Sequence, residues 1–173
     1  ADFDFTDENW ENRRIGTTQP EVIIFAEKNG WFRFLKEFQD EFGVTVLTLG
    51  GAPSVLSSEY TVAKLKAVIE NKKTAIKLIG IVDYDPAGNM IAKAFQNQLS
   101  AMGLTNSTLI TLIKPEYYTD NEISMFQFPL PKKQKTKTRK WLKKTNGIKG
   151  YALGLESESL PRKRLRKILE EAI

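Results

Sequence analysis

Three carboxylates stand where an α/β sheet presents its ligand-binding groups. Glu27 directly follows the apolar run Val22-Ile23-Ile24-Phe25-Ala26. Asp83 and Asp85 close a second run, in Ile81-Val82-Asp83-Tyr84-Asp85-Pro86-Ala87-Gly88. In open α/β sheets, ligands bind beyond the carboxyl ends of the strands. Residues i and i+2 of an extended chain face the same way, so Asp83 and Asp85 are expected to share one ion. Close carboxylates repel, and burying them unpaired is costly. A divalent cation relieves the repulsion, and Mg²⁺ takes one or two carboxylates together with water and phosphate oxygens. The structural alternative is that either aspartate caps the helix that follows Pro86-Ala87-Gly88. Glu27 at a neighbouring strand end tips the reading towards a metal site.

Composition narrows the chemistry further. The 173 residues include no Cys and no His. Disulfides, thiolate nucleophiles, imidazole bases, serine-hydrolase triads and the usual zinc sites are therefore excluded. Any metal must be held by oxygen, which points to Mg²⁺, Mn²⁺ or Ca²⁺. The apolar runs are too short to span a bilayer and no signal peptide is evident, so no membrane partner and a cytoplasmic (in a prokaryote, nucleoid-associated) protein are expected. The first residue is Ala and not Met, as in a piece of a longer chain.

The elements that must position these acids alternate regularly. Strands are expected at Val22–Ala26, Val44–Leu49, Ala75–Val82 and Thr108–Ile113. Helices are expected from Trp31 to Phe42 with Gly43 as a stop, from Pro53 through Val62, Leu65, Val68 and Ile69, and from Gly88 to Met102. This order predicts an α/β fold: a parallel sheet of four main strands with helices on both faces. Residues 1–20 read as an arm or the remnant of an upstream domain, and 21–173 as one domain. The stretch Lys114–Gln134 is irregular. A basic helix covers Lys135–Lys144, and Ser159 is expected to cap a last helix with Pro161 in its first turn.

Charge is divided along the chain. From Phe128 onward there are 14 Lys and Arg against 4 Asp and Glu, whereas the rest has 12 against 17. A carboxylate site ahead of a polyanion-facing surface fits this division, and so do solvated lysines on an exposed helix. The candidates for contact with a nucleic-acid backbone are Lys132, Lys133, Lys135, Lys137, Arg139, Lys140, Lys143 and Lys144.

Glu27 after the first strand, with Asp83-Tyr84-Asp85-Pro86-Ala87-Gly88 after the third, resembles the Toprim domain. That Rossmann-like domain is shared by type IA and type II topoisomerases, bacterial primases, OLD-type nucleases and topoisomerase VI. Ala26-Glu27-Lys28-Asn29-Gly30-Trp31-Phe32 and Gly50-Gly51-Ala52-Pro53-Ser54 resemble segments of the topoisomerase VI A subunit and its meiotic double-strand-break relative. Leu155-Glu156-Ser157-Glu158-Ser159-Leu160 is a weaker echo of a Glu-x-Glu-Ala-Leu segment there. The likeness runs from about Glu21 to Leu160, with 115–150 aligning only loosely.

The resemblance implies a Mg²⁺-binding (or Mn²⁺-binding) half of a DNA-breaking and rejoining enzyme. Glu27, Asp83 and Asp85 would hold the metal against the scissile phosphate, with Glu27 as proton shuttle to the 3′-oxygen. It also implies DNA, an upstream winged-helix domain and an ATPase subunit as partners, and is compatible with a homodimer. Residues 1–20 cannot hold the tyrosine-bearing winged helix, so the chain alone is not expected to form a covalent DNA adduct. Three alternatives use the same residues: a Toprim nuclease with water as nucleophile, a noncatalytic metal- and DNA-binding module, and an aspartyl phosphatase of the haloacid-dehalogenase type. The last usually carries Thr or Val after its Asp-x-Asp, where this chain has Pro86.

Overall fold

A computed structural model describes residues 13–50, 55–68 and 74–173. The elements run β1 (Arg13–Arg14), β2 (Gln19–Ala26), α1 (Phe32–Phe42), β3 (Val44–Thr48), α2 (Val55–Val68), β4 (Ile76–Ile81), α3 (Pro86–Ala101), β5 (Ser107–Thr111), α4 (Asp120–Phe126), β6 (Phe128–Pro129), α5 (Lys135–Thr145), β7 (Leu153–Gly154) and α6 (Arg162–Ala172). They form two compact units. One takes in the described residues up to Ile81 with Ile91–Ile110, and the other Val82–Met90 with Thr111–Ile173. None of the described helices is long and apolar enough to cross a membrane.

The fold is α/β with a five-stranded, mainly parallel sheet in the order β1-β3-β2-β4-β5. β2 runs parallel to both β3 and β4. The apolar runs read as strands in the sequence are these strands, and their burial explains the pattern. Val22 to Ala26, all of β3 and most of β4 are shut away from water, as both-sided cover demands. The sheet differs from a purely parallel one at its edge. Arg13 and Arg14 pair antiparallel with Leu47 and Val46. Two residues are too few to show a period, so this edge strand was hidden inside what reads as a polar arm.

The first helix ends where its glycine requires. Gly43 adopts φ 68°, and its N–H bonds the Gln39 carbonyl at 2.9 Å, the left-handed stop that glycine makes cheaply. Trp31, Phe34, Phe38 and Phe42 stack along α1 with ring centroids 5.2 to 6.1 Å apart. Trp31 and Phe38 are fully buried, so the aromatic stripe is core. The Gly50-Gly51-Ala52-Pro53-Ser54 turn lies outside the described residues beyond Gly50.

The basic helix forms as expected, over Lys135–Thr145. Two readings of the second unit are corrected. Ser159 does not cap α6: it ends a 3₁₀ turn, and its hydroxyl is already bonded to the Glu156 carbonyl and to the Tyr118 hydroxyl. Pro161 itself occupies the position before the helix. The stretch after β5 also contains a helix, α4, begun by a reciprocal capping box between Thr119 and Glu122. Thr119-Asp120-Asn121-Glu122 is a readable start signal, which the surrounding prolines masked.

In the sheet, Phe25 lies opposite Gly80. A Cβ at Gly80 would sit 2.6 Å from the Phe25 ring, and Phe25 also packs on Phe95 at 5.0 Å. Gly80→Ala is expected to cost about 1–3 kcal/mol by overpacking. Chemical denaturation of the two proteins measures this, and equal midpoints would show that the ring moves aside freely.

Candidate functional site

After β4 the backbone does not stay extended. The Asp85 N–H donates to the Asp83 carbonyl at 3.1 Å, closing a three-residue turn around Tyr84. The premise that Asp83 and Asp85 point the same way along an extended chain is therefore corrected. The cause is the helix that begins at once. Asp85 Oδ1 accepts the Gly88 N–H at 2.7 Å, and its carbonyl accepts the Asn89 N–H at 3.1 Å. Asp85 is thus the N-cap of α3, with Pro86 in the first helical position, where a missing N–H costs nothing. Gly88 lies against the Asp83 carbonyl, where a Cβ would collide.

Asp83 is held from a different direction. Its Oδ1 accepts the Ser157 N–H at 2.8 Å. Tyr84 and Leu155 exchange two backbone bonds, Tyr84 N–H to Leu155 O at 2.8 Å and Leu155 N–H to Tyr84 O at 3.1 Å. The turn and the Leu155-Glu156-Ser157-Glu158 segment are therefore neighbours within the second unit. Ser157 is buried, while Glu156 and Glu158 are exposed. Sequence reasoning did not select Ser157, because what it contributes is a backbone N–H and not its side chain.

Tyr84 fastens the basic helix to this turn. Its hydroxyl donates to the Gly147 carbonyl at 2.7 Å, and its ring meets Trp141 edge-on at 4.9 Å. Burial pushes the Tyr84 phenol above its ordinary value of 10.0, opposed by a side-chain hydrogen bond from Thr145. It therefore stays protonated as a donor. Trp141 is only 4% exposed, so it anchors α5 and does not face a ligand broadside.

The eight predicted cations all project into solvent: Lys132, Lys133, Lys135, Lys137, Arg139, Lys140, Lys143 and Lys144 are exposed. None is ion-paired to a carboxylate among the described residues. Six of them flank two grooves. Lys137, Lys140 and Lys144 border one of about 280 Å³ beside Met90. Lys132, Lys135 and Arg139 border another of about 380 Å³ beside Leu130 and Leu142. A narrow cleft of about 40 Å³ is lined by Asp83, Tyr84, Asp85, Asn89 and Trp141.

Glu27 belongs to the first unit. Ala26 pairs with Thr48 on one side and Ile81 on the other, and the Glu27 N–H reaches the Ile81 carbonyl at 3.3 Å. From β2 the chain moves to β3 on one side, then passes to β4 on the other. The β2–β4 pair is thus the place where the strand order reverses, and ligands bind at the carboxyl ends of such pairs. Glu27 and Lys28 are both half-buried.

Among the described residues no group of three or more carboxylates is gathered as a ready-made cage. The turn offers hard oxygen donors instead, each aspartate oriented by a backbone N–H on one oxygen. That donor chemistry fits Mg²⁺ or Mn²⁺, which needs no more than one or two carboxylates when phosphate and water complete the shell. No protein-family model matches the chain, and a search of curated proteins finds no match.

A second network steadies the Ser157 segment. Glu122 accepts the Arg164 guanidinium at 2.6 Å and the Thr119 N–H at 2.8 Å, and Arg164 also donates to the Tyr117 carbonyl at 3.1 Å. The neighbouring Tyr118 hydroxyl bonds Ser159 Oγ at 2.8 Å. Arg164 first, then the Thr119 N–H, holds the Glu122 carboxyl down at about 2, against an ordinary 4.5. The carboxylate is thus favoured in the folded state. Its stabilisation is whole above about pH 4.5 and is lost as pH falls towards 2. Glu122→Gln is expected to melt below wild type at pH 6, with the gap closing by pH 2. Melting curves across that range test it, and a constant gap would assign the effect to packing.

Gly88→Ala forces a Cβ onto the Asp83 carbonyl, a rigid backbone atom. We expect a loss of about 1–3 kcal/mol. Denaturation of Gly88→Ala beside an Ala substitution at exposed Asn97 or Lys93 checks this, and equal losses would show that the turn yields.

Proposed function

We propose that this chain is a Toprim-like, divalent-metal-dependent domain that acts on DNA phosphodiesters, as the resemblance of its motifs implies. The observation that carries the reading is one connected piece of the second unit. A turn bearing Asp83 and Asp85 is joined through Tyr84 and Trp141 to a helix of exposed cations that have no carboxylate partner among the described residues. Carboxylates alone repel phosphate, so an acidic site that handles DNA needs such a surface nearby.

In this reading Asp83 and Asp85 hold the cation, with their backbone-bonded oxygens fixing the carboxylate planes. When bound, the cation supplies charge stabilisation to the phosphate and the departing 3′-oxygen. The resemblance gives proton transfer to Glu27 of the first unit, a role that falls to a carboxylate because the chain has no imidazole. The cations from Lys132 to Lys144 bind backbone phosphates. A Rossmann-like arrangement and an upstream tyrosine-bearing domain with an ATPase subunit complete the topoisomerase form of the reading. A second form, a nuclease in which water attacks, uses the same acids and cations and needs no upstream tyrosine.

Asn substitutions at both aspartates keep a cap for α3 and an acceptor for Ser157, so they test metal binding without breaking the turn. Mn²⁺ is expected to bind the wild type and to be lost from Asp83→Asn/Asp85→Asn. Equal binding by the two would remove the metal site. On duplex DNA, four phosphate contacts give a slope of log K against log salt of about −3.6. Replacing Lys135, Lys137, Arg139 and Lys140 by Gln is expected to flatten it by a similar amount while Mn²⁺ binding persists. An unchanged slope would make these residues a solvated face only. Nicking of supercoiled DNA with Mg²⁺ and no covalent adduct would select the nuclease form.

A further inference from the structure

We propose that the groove beside Met90 takes an unpaired nucleobase, so that the second unit holds single-stranded or frayed DNA in preference to intact duplex. This deepens the DNA-binding reading above and rests on it. The groove holds about 280 Å³ and is lined by Pro86, Asn89, Met90 and Trp141, with Lys137, Lys140 and Lys144 beside them. The three lysines fall at spacings of three and four on α5, so they share one face of the helix. Met90 is 48% exposed, a large apolar side chain left in water beside three cations. A thioether is soft and adaptable and makes favourable contacts with aromatic rings.

A surface that is apolar at its centre and cationic at its border suits a ligand with a flat apolar body and an anionic tether. A nucleotide has that form. Asn89 adds an amide with both donors and an acceptor, as the edge of a base requires. Asn89 and Trp141 also line the narrow cleft that contains Asp83 and Asp85. A strand with one phosphate at the turn thus has the groove next to it for a neighbouring base. In an intact duplex both faces of each base are stacked, so no face is available to the groove.

An acidic peptide with apolar side chains shares the charge but not the rest. The cations continue from Lys132 to Lys144, well beyond the groove, which matches a repeating phosphate charge. An aliphatic side chain would make no hydrogen bond to the Asn89 amide.

The test compares fluorescently labelled oligothymidylate, a strand of the same length with abasic sites, and a duplex, by anisotropy at one ionic strength. The base-bearing strand is expected to bind at least about fivefold more tightly than the abasic one, the smallest effect of a single stacked base. Met90→Gln, at an exposed position that keeps side-chain length and charge, is expected to erase that difference. It should leave duplex affinity and salt slope unchanged. Lys144→Gln is expected instead to weaken both strands alike. Salt-dependent binding that is equal for base-bearing and abasic strands would overturn the groove proposal while leaving phosphate binding standing. Absence of salt-dependent binding to any of the three would overturn both. Displacement of the strand by an acidic, leucine-rich peptide at lower concentration than by oligothymidylate would overturn the choice of ligand.

Discussion

The second unit depends on the pair of backbone hydrogen bonds between Tyr84 and Leu155. They are formed by residues 71 positions apart in the chain, and they bring the Asp83–Asp85 turn beside the segment that carries Ser157. Closing so long a loop costs entropy, which local contacts must offset. Tyr84 supplies several at once. Its main chain pairs with Leu155, its hydroxyl bonds Gly147 and its ring packs on Trp141. One residue therefore holds three segments in register: the turn, the basic helix with the loop after it, and the Leu155 segment. Its neighbour Asp83 has its carboxylate fixed as a consequence, by the Ser157 N–H.

That arrangement explains why the two aspartates have different partners although they stand two residues apart. Pro86 cannot donate a backbone hydrogen bond, and the first free N–H groups of α3 lie just beyond it. Asp85 is the nearest acceptor and caps them through Gly88. Asp83 is turned away by the bond from Asp85 N–H to its own carbonyl and meets Ser157 instead. Helix capping and ion binding, opposed as alternatives when the sequence is read alone, are compatible here. A carboxylate can accept a backbone N–H on one oxygen while the same bond orients the group as a ligand.

Strands β2, β3 and β4 were legible because they are buried on both faces and so read as unbroken apolar runs. Helix α1 was legible from its aromatic spacing and Gly43. The acidic turn could be placed at a strand end, since Asp-x-Asp-Pro-x-Gly combines a strand stop with a helix start. Its internal geometry could not, because an i to i+2 bond around Tyr84 and a bond to Ser157 leave no periodic trace. The role of Trp141 was open for a similar reason: a tryptophan on a basic helix reads alike whether it packs inward or faces a ligand, and only its contact with Tyr84 decides. Strand β1 was too short to show a pattern, and α4 had its capping signal among prolines.

The separation of charge is the feature that packing alone does not require. Asp83 and Asp85 lie in the same unit as eight cations, and pairing them would have been the simplest way to offset buried or half-buried charge. Each aspartate accepts a backbone N–H, and the lysines and arginine of 132–144 pair with no carboxylate among the described residues. Other parts of the unit do pair their charges, as Arg164 does with Glu122 and Arg166 with Glu170. Exposed ion pairs contribute little to stability, so leaving these eight unpaired costs the fold little. What it retains is a cationic surface and an anionic turn that do not cancel each other. A polyanion is what such a surface attracts, and cations already paired with carboxylates would have less to offer it.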